Sequence, residues 1–396
     1  MIDKKQGVNL IFRFGQSLSK QAILILPNII LANYLDAKAF GSFSFALGVI
    51  SMTITVTDFG ISTIAIRDFV EKKKDASLLL NYIYLMTFLS VLSFIILINI
   101  LPSNYNYFSY LEFLIILTSS IASIIDAFLR AEENFISLFL CSMISAMTGV
   151  TVSIFLFFKI GEKSVFYGLL TYSLVFILLN IRKVHFRIMV RKIPIFIYKK
   201  LSLSLYIGIP TIGYLILSKT DIFLLAKNHM FQEIGYFEYL GRIIELFIYP
   251  FGIISQVFMP SLLKMGKRDI LNIYKKNITR FVIIILIITL SIVLLHNLMN
   301  SHYPFQTVLF IKSIYLTILL YPIRVCTMFI NQTFLIPLKL ESEMFKIYII
   351  VSICHFCLSV YFIPFNGLSA VFYISLVTSS IILIWQNILL FNCQES

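Results

Sequence analysis

Runs of about 20 apolar residues, parted by short polar stretches, recur along the whole chain. A membrane-spanning helix needs about that length, because the hydrocarbon core is ~30 Å thick and a helix rises about 1.5 Å per residue. The pattern predicts twelve spans, at about 10–32, 41–64, 82–101, 111–130, 135–158, 164–182, 204–226, 237–260, 281–299, 306–330, 344–363 and 367–390. The runs are continuous, not alternating segments of about 10 residues, which excludes a β-barrel. The first run is interrupted by Arg13, Gln16, Ser17, Ser19, Lys20 and Gln21, and then Pro27. No small-residue cleavage site follows, so it reads as a span and not as a cleavable signal peptide.

Composition changes the picture only by excluding classes. Of 396 residues, 59% are hydrophobic and 13% charged, and the mean hydropathy is +0.93. Soluble domains carry roughly 25% charged residues. So little charge cannot clothe a water-facing surface, which excludes a soluble enzyme, a nucleic-acid-binding domain and a disordered chain. The fold class is therefore all-α, a polytopic membrane protein. The net charge of +13 points to an anionic leaflet or substrate as partner, with no nucleic acid. Cys141, Cys326, Cys354, Cys357 and Cys393 all fall in or beside apolar runs and imply no disulfide framework. Cys354-His-Phe-Cys357 has C-x-x-C spacing but no second ligand pair nearby, so it reads as a packed helix interior, not a metal or redox site.

Lys and Arg in short loops set orientation. With loops assigned to alternate sides, 22 of the 32 fall on one side, most of them in 67–74, 182–200 and 264–280. Lys38, Lys159, Lys163 and Lys227 fall on the other, and six lie within the runs. Both termini are therefore expected in the cytoplasm. The outward loops, such as Asn104–Tyr110 and Ser301–Gln306, are too short to house an active site. Two longer inward segments, 183–203 and 261–280, mix basic residues with Phe, Ile and Leu, the signature of interfacial amphipathic helices. A plain basic linker is an equal reading of the first.

Shifted by 194, the sequence matches itself without gaps over one stretch. Asn28-Ile-Ile-Leu-Ala32 falls on Ile222-Phe-Leu-Leu-Ala226, and Gly41-Ser-Phe-Ser-Phe45 on Gly235-Tyr-Phe-Glu-Tyr239. Six spans separate the two copies, so the halves share one orientation, related by an axis along the membrane normal. The expected organisation is a six-helix lobe over 1–184, a cytoplasmic amphipathic linker over 185–203 and a second six-helix lobe over 204–396, rocking around a central cavity. Pro27, Gly208, Pro210, Gly213, Pro250, Gly252 and Pro260 would loosen the helices that move, although prolines are also tolerated generally in membrane helices.

A charge at mid-bilayer costs about 2.5–3.5 kcal/mol on insertion scales, so it marks function by default. Arg13 and Lys20 share a face of the first span. Asp58 and Asp126 lie late in the second and fourth. Lys219 and Asp221 lie mid-run in the seventh, either functional or a structural pair. Arg242 and Glu245, three apart in the eighth, can pair along one face. Lys312 and Arg324 lie in the tenth. Arg13, Asp58 and Asp126 are close enough to the cytoplasmic ends to snorkel instead. Basic residues slightly outnumber acidic ones in the runs, which suits an anionic cargo such as a diphosphate or acidic sugar better than a drug cation.

The segment Leu26-Pro-Asn-Ile-Ile-Leu-Ala-Asn-Tyr-Leu-Asp-Ala-Lys-Ala-Phe-Gly-Ser-Phe-Ser-Phe45, followed by Thr57-Asp-Phe-Gly-Ile-Ser-Thr-Ile-Ala-Ile-Arg67, resembles the amino-terminal signature of O-antigen and polysaccharide flippases. Thr220-Asp-Ile-Phe-Leu-Leu-Ala226, Ile234-Gly-Tyr-Phe-Glu-Tyr-Leu-Gly-Arg242 and Pro260 follow in the same order. The resemblance is to Wzx-type flippases of the multidrug/oligosaccharidyl-lipid/polysaccharide (MOP) exporter superfamily, and it extends over the chain in length and span count. It implies a MATE-like pair of six-helix lobes in the bacterial inner membrane. The implied cargo is an undecaprenyl-diphosphate-linked oligosaccharide, an O-antigen repeat unit moved from the cytoplasmic to the periplasmic leaflet by alternating access. Arg13, Lys20, Lys219, Arg242, Lys312 and Arg324 then become candidates for head-group contacts, and Asp58, Asp126, Asp221 and Glu245 for an ion or proton relay. No cofactor or metal is implied beyond a coupling ion, H+ or Na+. A polysaccharide polymerase and a chain-length regulator are the implied protein partners. Two other readings stay open. A multidrug exporter of the same superfamily should show surplus acid in its cavity. A membrane-embedded polymerase or glycosyltransferase should carry a large outward loop.

Overall fold

The computed structural model describes residues 4–71, 76–100, 110–132, 134–181, 219–262, 265–299, 307–338 and 340–395, with isolated positions between 196 and 217 and at 305. Among these the secondary structure is helical, without strands. The helices are α1 (Lys4–Ala32), α2 (Ala37–Asp58), α3 (Ile61–Glu71), α4 (Ala76–Ile100), α5 (Tyr110–Ala131), α6 (Phe135–Ile160), α7 (Ser164–Ile181), a helical stretch over 219–227, then α8 (Phe231–Leu262), α9 (Lys267–Met299), α10 (Val308–Ile330) and α11 (Glu341–Glu395). Among the described residues, six helical segments are long and apolar enough to cross a membrane. Two of them, Phe135–Ile181 with 47 residues and Ser342–Cys393 with 52, are each long enough for two crossings. Gly161 (φ 65°) and Gly367 (φ 53°) turn the chain inside these two runs.

Close packing divides the chain into two units. The first comprises Met1–Leu31 and Ala46–Ile212, the second Ala32–Phe45 and Gly213–Ser396. The core of the first unit joins Ile61, Ala65 and Phe69 of α3 to Leu79, Tyr82, Leu85 and Met86 of α4 and to Ile124, Phe128 and Leu129 of α5. α6 and α7 approach through Gly149 and Gly168, where a Cβ on Gly168 would stand 2.6 Å from the Gly149 carbonyl oxygen. Close approach at small residues supplies the dispersion contacts that hold helices together in lipid.

Three expectations need correction. The second span does not run to residue 64: α2 ends at Asp58, Phe59 (φ 38°) and Gly60 (φ 78°) turn the backbone left-handed, and α3 begins at Ile61. The apolar run continues across this break because Ile61, Ile64 and Ala65 are buried in the core, so hydropathy alone cannot register it. The segment 261–280 is not a separate interfacial helix. From Lys267 it is the first part of the continuous α9, with Ile270, Leu271 and Tyr274 buried in a core with α10 and α11 while Lys275 and Lys276 are exposed. Cys354 and Cys357 do not lie in a packed interior but on the exposed face of their helix, and all five cysteines are free. No cluster of metal-ligating side chains exists among the described residues.

Of the linker segment only a few positions between 196 and 204 are described. Phe196, Ile197 and Leu201 pack on the first unit's core, and Lys200 is buried. This stripe repeats at helical spacing but faces protein. Gly208, Pro210 and Gly213, and the loops 101–109 and 301–304, lie outside the described residues. The helix α8 runs unbroken through positions 250, 252 and 260.

In the second unit the 194-residue repeat acquires a physical form. A Cβ on Gly41 would overlap the Phe231 carbonyl and stand 2.9 Å from the Gly235 nitrogen; one on Gly235 would overlap the Ala37 carbonyl and stand 3.2 Å from the Gly41 nitrogen. Residues 37 and 231, like 41 and 235, are repeat equivalents. The contact is therefore reciprocal, the pattern a two-fold relation produces. Phe40, Tyr236, Tyr239, Phe305 and Phe310, all buried, pack around it with ring centroids 5.3–6.4 Å apart. The second half of α11 is pinned to α8 by Glu233, whose carboxylate accepts from the Leu368 backbone N–H just past Gly367.

Candidate functional site

Charged side chains inside the helices gather in two clusters, one in each unit. In the first unit the centre is Asp126 of α5. Its Oδ2 lies 2.6 Å from the Arg130 guanidinium and 3.3 Å from Lys20 Nζ, and its Oδ1 accepts from Gln16 Nε2 at 2.5 Å. Gln16 and Lys20 are one turn apart on α1, and Asp126 and Arg130 one turn apart on α5, so two helix faces meet across one carboxylate. Asp126 is buried, whereas the side chains of Lys20 and Arg130 remain 35% and 34% exposed. Arg13, one turn before Gln16, is exposed. Lys20 and Arg130 thus share one buried carboxylate, with Arg13 and Asp58 close enough to act on the same group electrostatically, which leaves one cation in excess. Asp126 is bound inside this cluster instead of snorkelling from a helix end.

Arg130, Gln16 and Glu238 are site residues that sequence reasoning missed, although the i,i+4 spacings of Arg130 from Asp126 and of Glu238 from Arg242 are visible signals. Asp58 lies within electrostatic reach of Arg130, but its hydrogen bonds are local. Its carboxylate accepts from Ser62 Oγ at 2.9 Å and from Ser62 N at 3.3 Å, so it caps the start of α3 across the turn.

In the second unit Glu238 of α8 lies 3.6 Å from Lys219 Nζ and 3.1 Å from Arg242, and Arg242 also bonds Glu245 at 3.1 Å. Arg242 and Glu245 pair as their spacing predicts. Lys219 and Asp221 do not pair: two residues apart on a helix, they point to different sides. Two cations here face two carboxylates, so the cluster has no spare positive charge. Asp221 is buried elsewhere, against His355 and Ser359 at 3.1 and 2.9 Å. Lys312 is exposed and Arg324 half-buried on α10.

A further buried pair was not foreseen. Lys200 and Asp68 form an ion pair in which Tyr82 Oη also donates to Asp68 Oδ2 at 2.6 Å, and the Phe196 ring packs edge-on against Tyr82. It ties the connecting segment to α3 and α4.

Residues 30–303, more than half of the chain, match the family described as "Polysaccharide biosynthesis protein". The chain belongs to this family. No curated protein matches it. Among solved structures it is similar over 95% of its length to "Lipid II flippase MurJ, inward closed conformation", at 15% identity over 86% of that chain with a TM-score of 0.66. It is similar over 96% of its length to an inward-facing multidrug resistance MATE family transporter of the MOP superfamily, at 13% identity over 96% of that chain and a TM-score of 0.63. An outward-facing multidrug resistance MATE family transporter of the MOP superfamily aligns at 14% identity over 99% of this chain and 97% of the other, with a TM-score of 0.59. The family member thus has the two-lobed, all-helical fold of MOP-superfamily membrane transporters.

Proposed function

We propose that the protein is a flippase that carries an undecaprenyl-diphosphate-linked oligosaccharide, an O-antigen-type repeat unit, from the cytoplasmic to the periplasmic leaflet of a bacterial inner membrane by alternating access. The observation that supports the reading is the surplus of cations around Asp126: Arg13, Lys20 and Arg130 against Asp126 and Asp58, with Lys20 and Arg130 only about one-third exposed. A diphosphate has the charge and acceptor oxygens to complete this set, since Arg forms bidentate bonds to phosphate and Lys acts as a point charge. Membership of a polysaccharide biosynthesis family and a fold shared with a lipid II flippase support the same reading. Lys219 and Arg242, already neutralised by Glu238 and Glu245, serve better to shape the site than to supply net charge. Delivery would be to a polymerase and chain-length regulator, and anionic lipid would surround the basic loops.

A multidrug exporter would need surplus acid around its cation, and neither cluster has it. A polymerase or glycosyltransferase would need a large outward loop, and among the described residues the connections at 33–36, 161–163 and 228–230 are short. The test is deletion in the source strain, followed by assay of lipid-linked oligosaccharide on each leaflet. Accumulation on the inner leaflet with loss of surface polymer is expected; wild-type polymer with unchanged lipid intermediates would overturn the proposal.

A further inference from the structure

A groove of about 380 Å³ opens in the second unit where the first turns of α2, α8 and α10 come together. Lys38 lines it from α2, residues between 229 and 236 from the start of α8, and Thr307 and Leu309 from the start of α10. The volume falls in the ~300–1,000 Å³ range of small-molecule sites. Lys38, His229, Gln232, Glu233, Tyr236 and Thr307 make six of its nine lining residues polar. On the orientation expected from the loop charges, this is the periplasmic end of the unit.

The repeat shows that packing does not require these side chains. Subtracting 194 carries His229, Glu233 and Tyr236 onto Leu35, Ala39 and Ser42, and Gln232 onto Lys38. Both copies make the reciprocal glycine crossing, so Leu35 and Ala39 serve it as well as a His and a Glu do. His229 even works against its own backbone. It stands at φ 60°, where the 219–227 helix ends with Met230 N–H donating to the Leu225 carbonyl at 2.9 Å and His229 N–H to the Ala226 carbonyl at 3.0 Å. Glycine is the usual residue at such a position. An exposed imidazole kept there has a use other than packing.

The hydrogen bonds show what the groove has to offer. Tyr236 is 1% exposed, and its ring is held 5.4 and 5.3 Å from those of Phe305 and Phe310. Its Oη accepts from Gln232 Nε2 at 2.5 Å, so the buried hydroxyl has a hydrogen left to give and Gln232 a carbonyl oxygen left to accept. Turning the amide over exchanges these roles but still leaves donors and an acceptor. Glu233 accepts from the Leu368 N–H and has further lone pairs. Thr307 Oγ1 accepts from Phe310 N at 3.2 Å and keeps its own hydrogen. The ammonium of Lys38 and the carboxylate of Glu233 cancel, so net charge selects neither an anion nor a cation. Mixed donors and acceptors beside a fixed aromatic ring suit adjacent hydroxyls, each of which both gives and takes a hydrogen bond.

We propose that this groove is a sugar subsite that binds part of a glycan through its hydroxyls. The proposal rests on the transport reading for its use: the glycan would be that of the carried lipid-linked oligosaccharide, met by the second unit on the periplasmic side. The groove then reads sugar, whereas the cations around Asp126 read charge.

Saturation-transfer NMR on the purified full chain tests it with two probes, the free repeat-unit oligosaccharide released from the source strain's surface polymer and inorganic pyrophosphate. The oligosaccharide should bind wild type. Lys38→Gln with His229→Gly should weaken it by about tenfold, the loss expected for one or two hydrogen bonds, and should leave pyrophosphate affinity unchanged. His229→Gly alone suits the left-handed turn and should melt with wild type, so weaker sugar binding in that variant does not arise from unfolding. Failure of wild type to bind the oligosaccharide, equal affinity in the double variant, or a pyrophosphate affinity that falls in step with it would each overturn the proposal. The two proposals fail separately. Normal polymer after gene deletion, with oligosaccharide binding that depends on Lys38 and His229, sinks the transport reading and leaves the sugar subsite standing. Loss of polymer on deletion, with binding indifferent to those residues, does the reverse.

Discussion

The buried pair Lys200–Asp68 offers the sharpest quantitative test of the fold. Both side chains are about 9% exposed, and Tyr82 gives Asp68 a second hydrogen bond. Replacing Lys200 by Met keeps the aliphatic stem against Phe196 but leaves a carboxylate in the core with one neutral donor. Breaking a buried pair in this way costs about 3–5 kcal/mol, because the remaining charge is desolvated without compensation. Replacing both partners, Lys200→Met with Asp68→Asn, removes the charge altogether. The double variant should therefore be far closer to wild type than the sum of the singles, with a coupling energy of about 1–3 kcal/mol. For a soluble unit of about 200 residues, 1 kcal/mol moves the melting temperature by about 2–4 °C, which sets the expected scale in detergent. The assay is thermal unfolding of the purified protein, paired with limited proteolysis across 182–204. If Lys200→Met melts within about 1 °C of wild type, or the double variant is as damaged as the two singles combined, the segment does not dock as described.

Four other outcomes follow. Gly41→Val, or Gly235→Val, should lower stability by about 1–3 kcal/mol by overpacking, because each new side chain meets backbone that cannot rotate away; cysteines placed at positions 37 and 231 should cross-link readily in membranes. Lys20→Gln with Arg130→Gln should abolish surface polymer while leaving membrane insertion intact, and Arg130→Lys should restore part of it; normal polymer in the Gln pair would remove the head-group role. Arg242→Gln should also reduce polymer, here by leaving Glu238 under-neutralised, so restoring neutrality with Glu238→Gln should recover activity, as a direct phosphate contact would not. Reporter fusions after Lys74 and Lys276 should read cytoplasmic and fusions at Asn106 and Ser301 periplasmic; one reversal would break the span assignment.

How far the chain could be read in advance depended on whether a feature was local. Long apolar runs announced the helices, and Arg242 and Glu245 were legible as a pairing face because helical spacing alone brings them together. Positions where a run continues through a turn were not. At Phe59–Gly60 hydropathy is unbroken, and only the Asp-Phe-Gly motif hints that Asp58 caps a new helix. Contacts between distant segments were the hardest. Lys200 read as a charge for the lipid surface, yet its Cα lies on a stripe with Phe196, Ile197 and Leu201 that faces the core. His355 was absorbed into a cysteine motif. A ring in an apolar run with serines at 352 and 359 was the available signal, and its partner Asp221 is 134 residues away.

The two clusters differ in a way the repeat makes informative. The helices at Asn28–Phe45 and Ile222–Tyr239 still align and still meet reciprocally at Gly41 and Gly235, so the backbone relation is intact. The charges have not kept that relation. Subtracting 194 from Lys219 gives Ile25, from Asp221 gives Pro27 and from Glu238 gives Ser44, none of them ionisable, while adding 194 to Lys20 gives Tyr214. The two charge clusters are therefore not repeat equivalents. The first has cations in excess around Asp126, whereas Glu238 and Glu245 balance Lys219 and Arg242 in the second. On the proposed transport reading only the first has net charge to offer an anionic head group, so the glycine contact would be kept for packing while the charges were free to diverge.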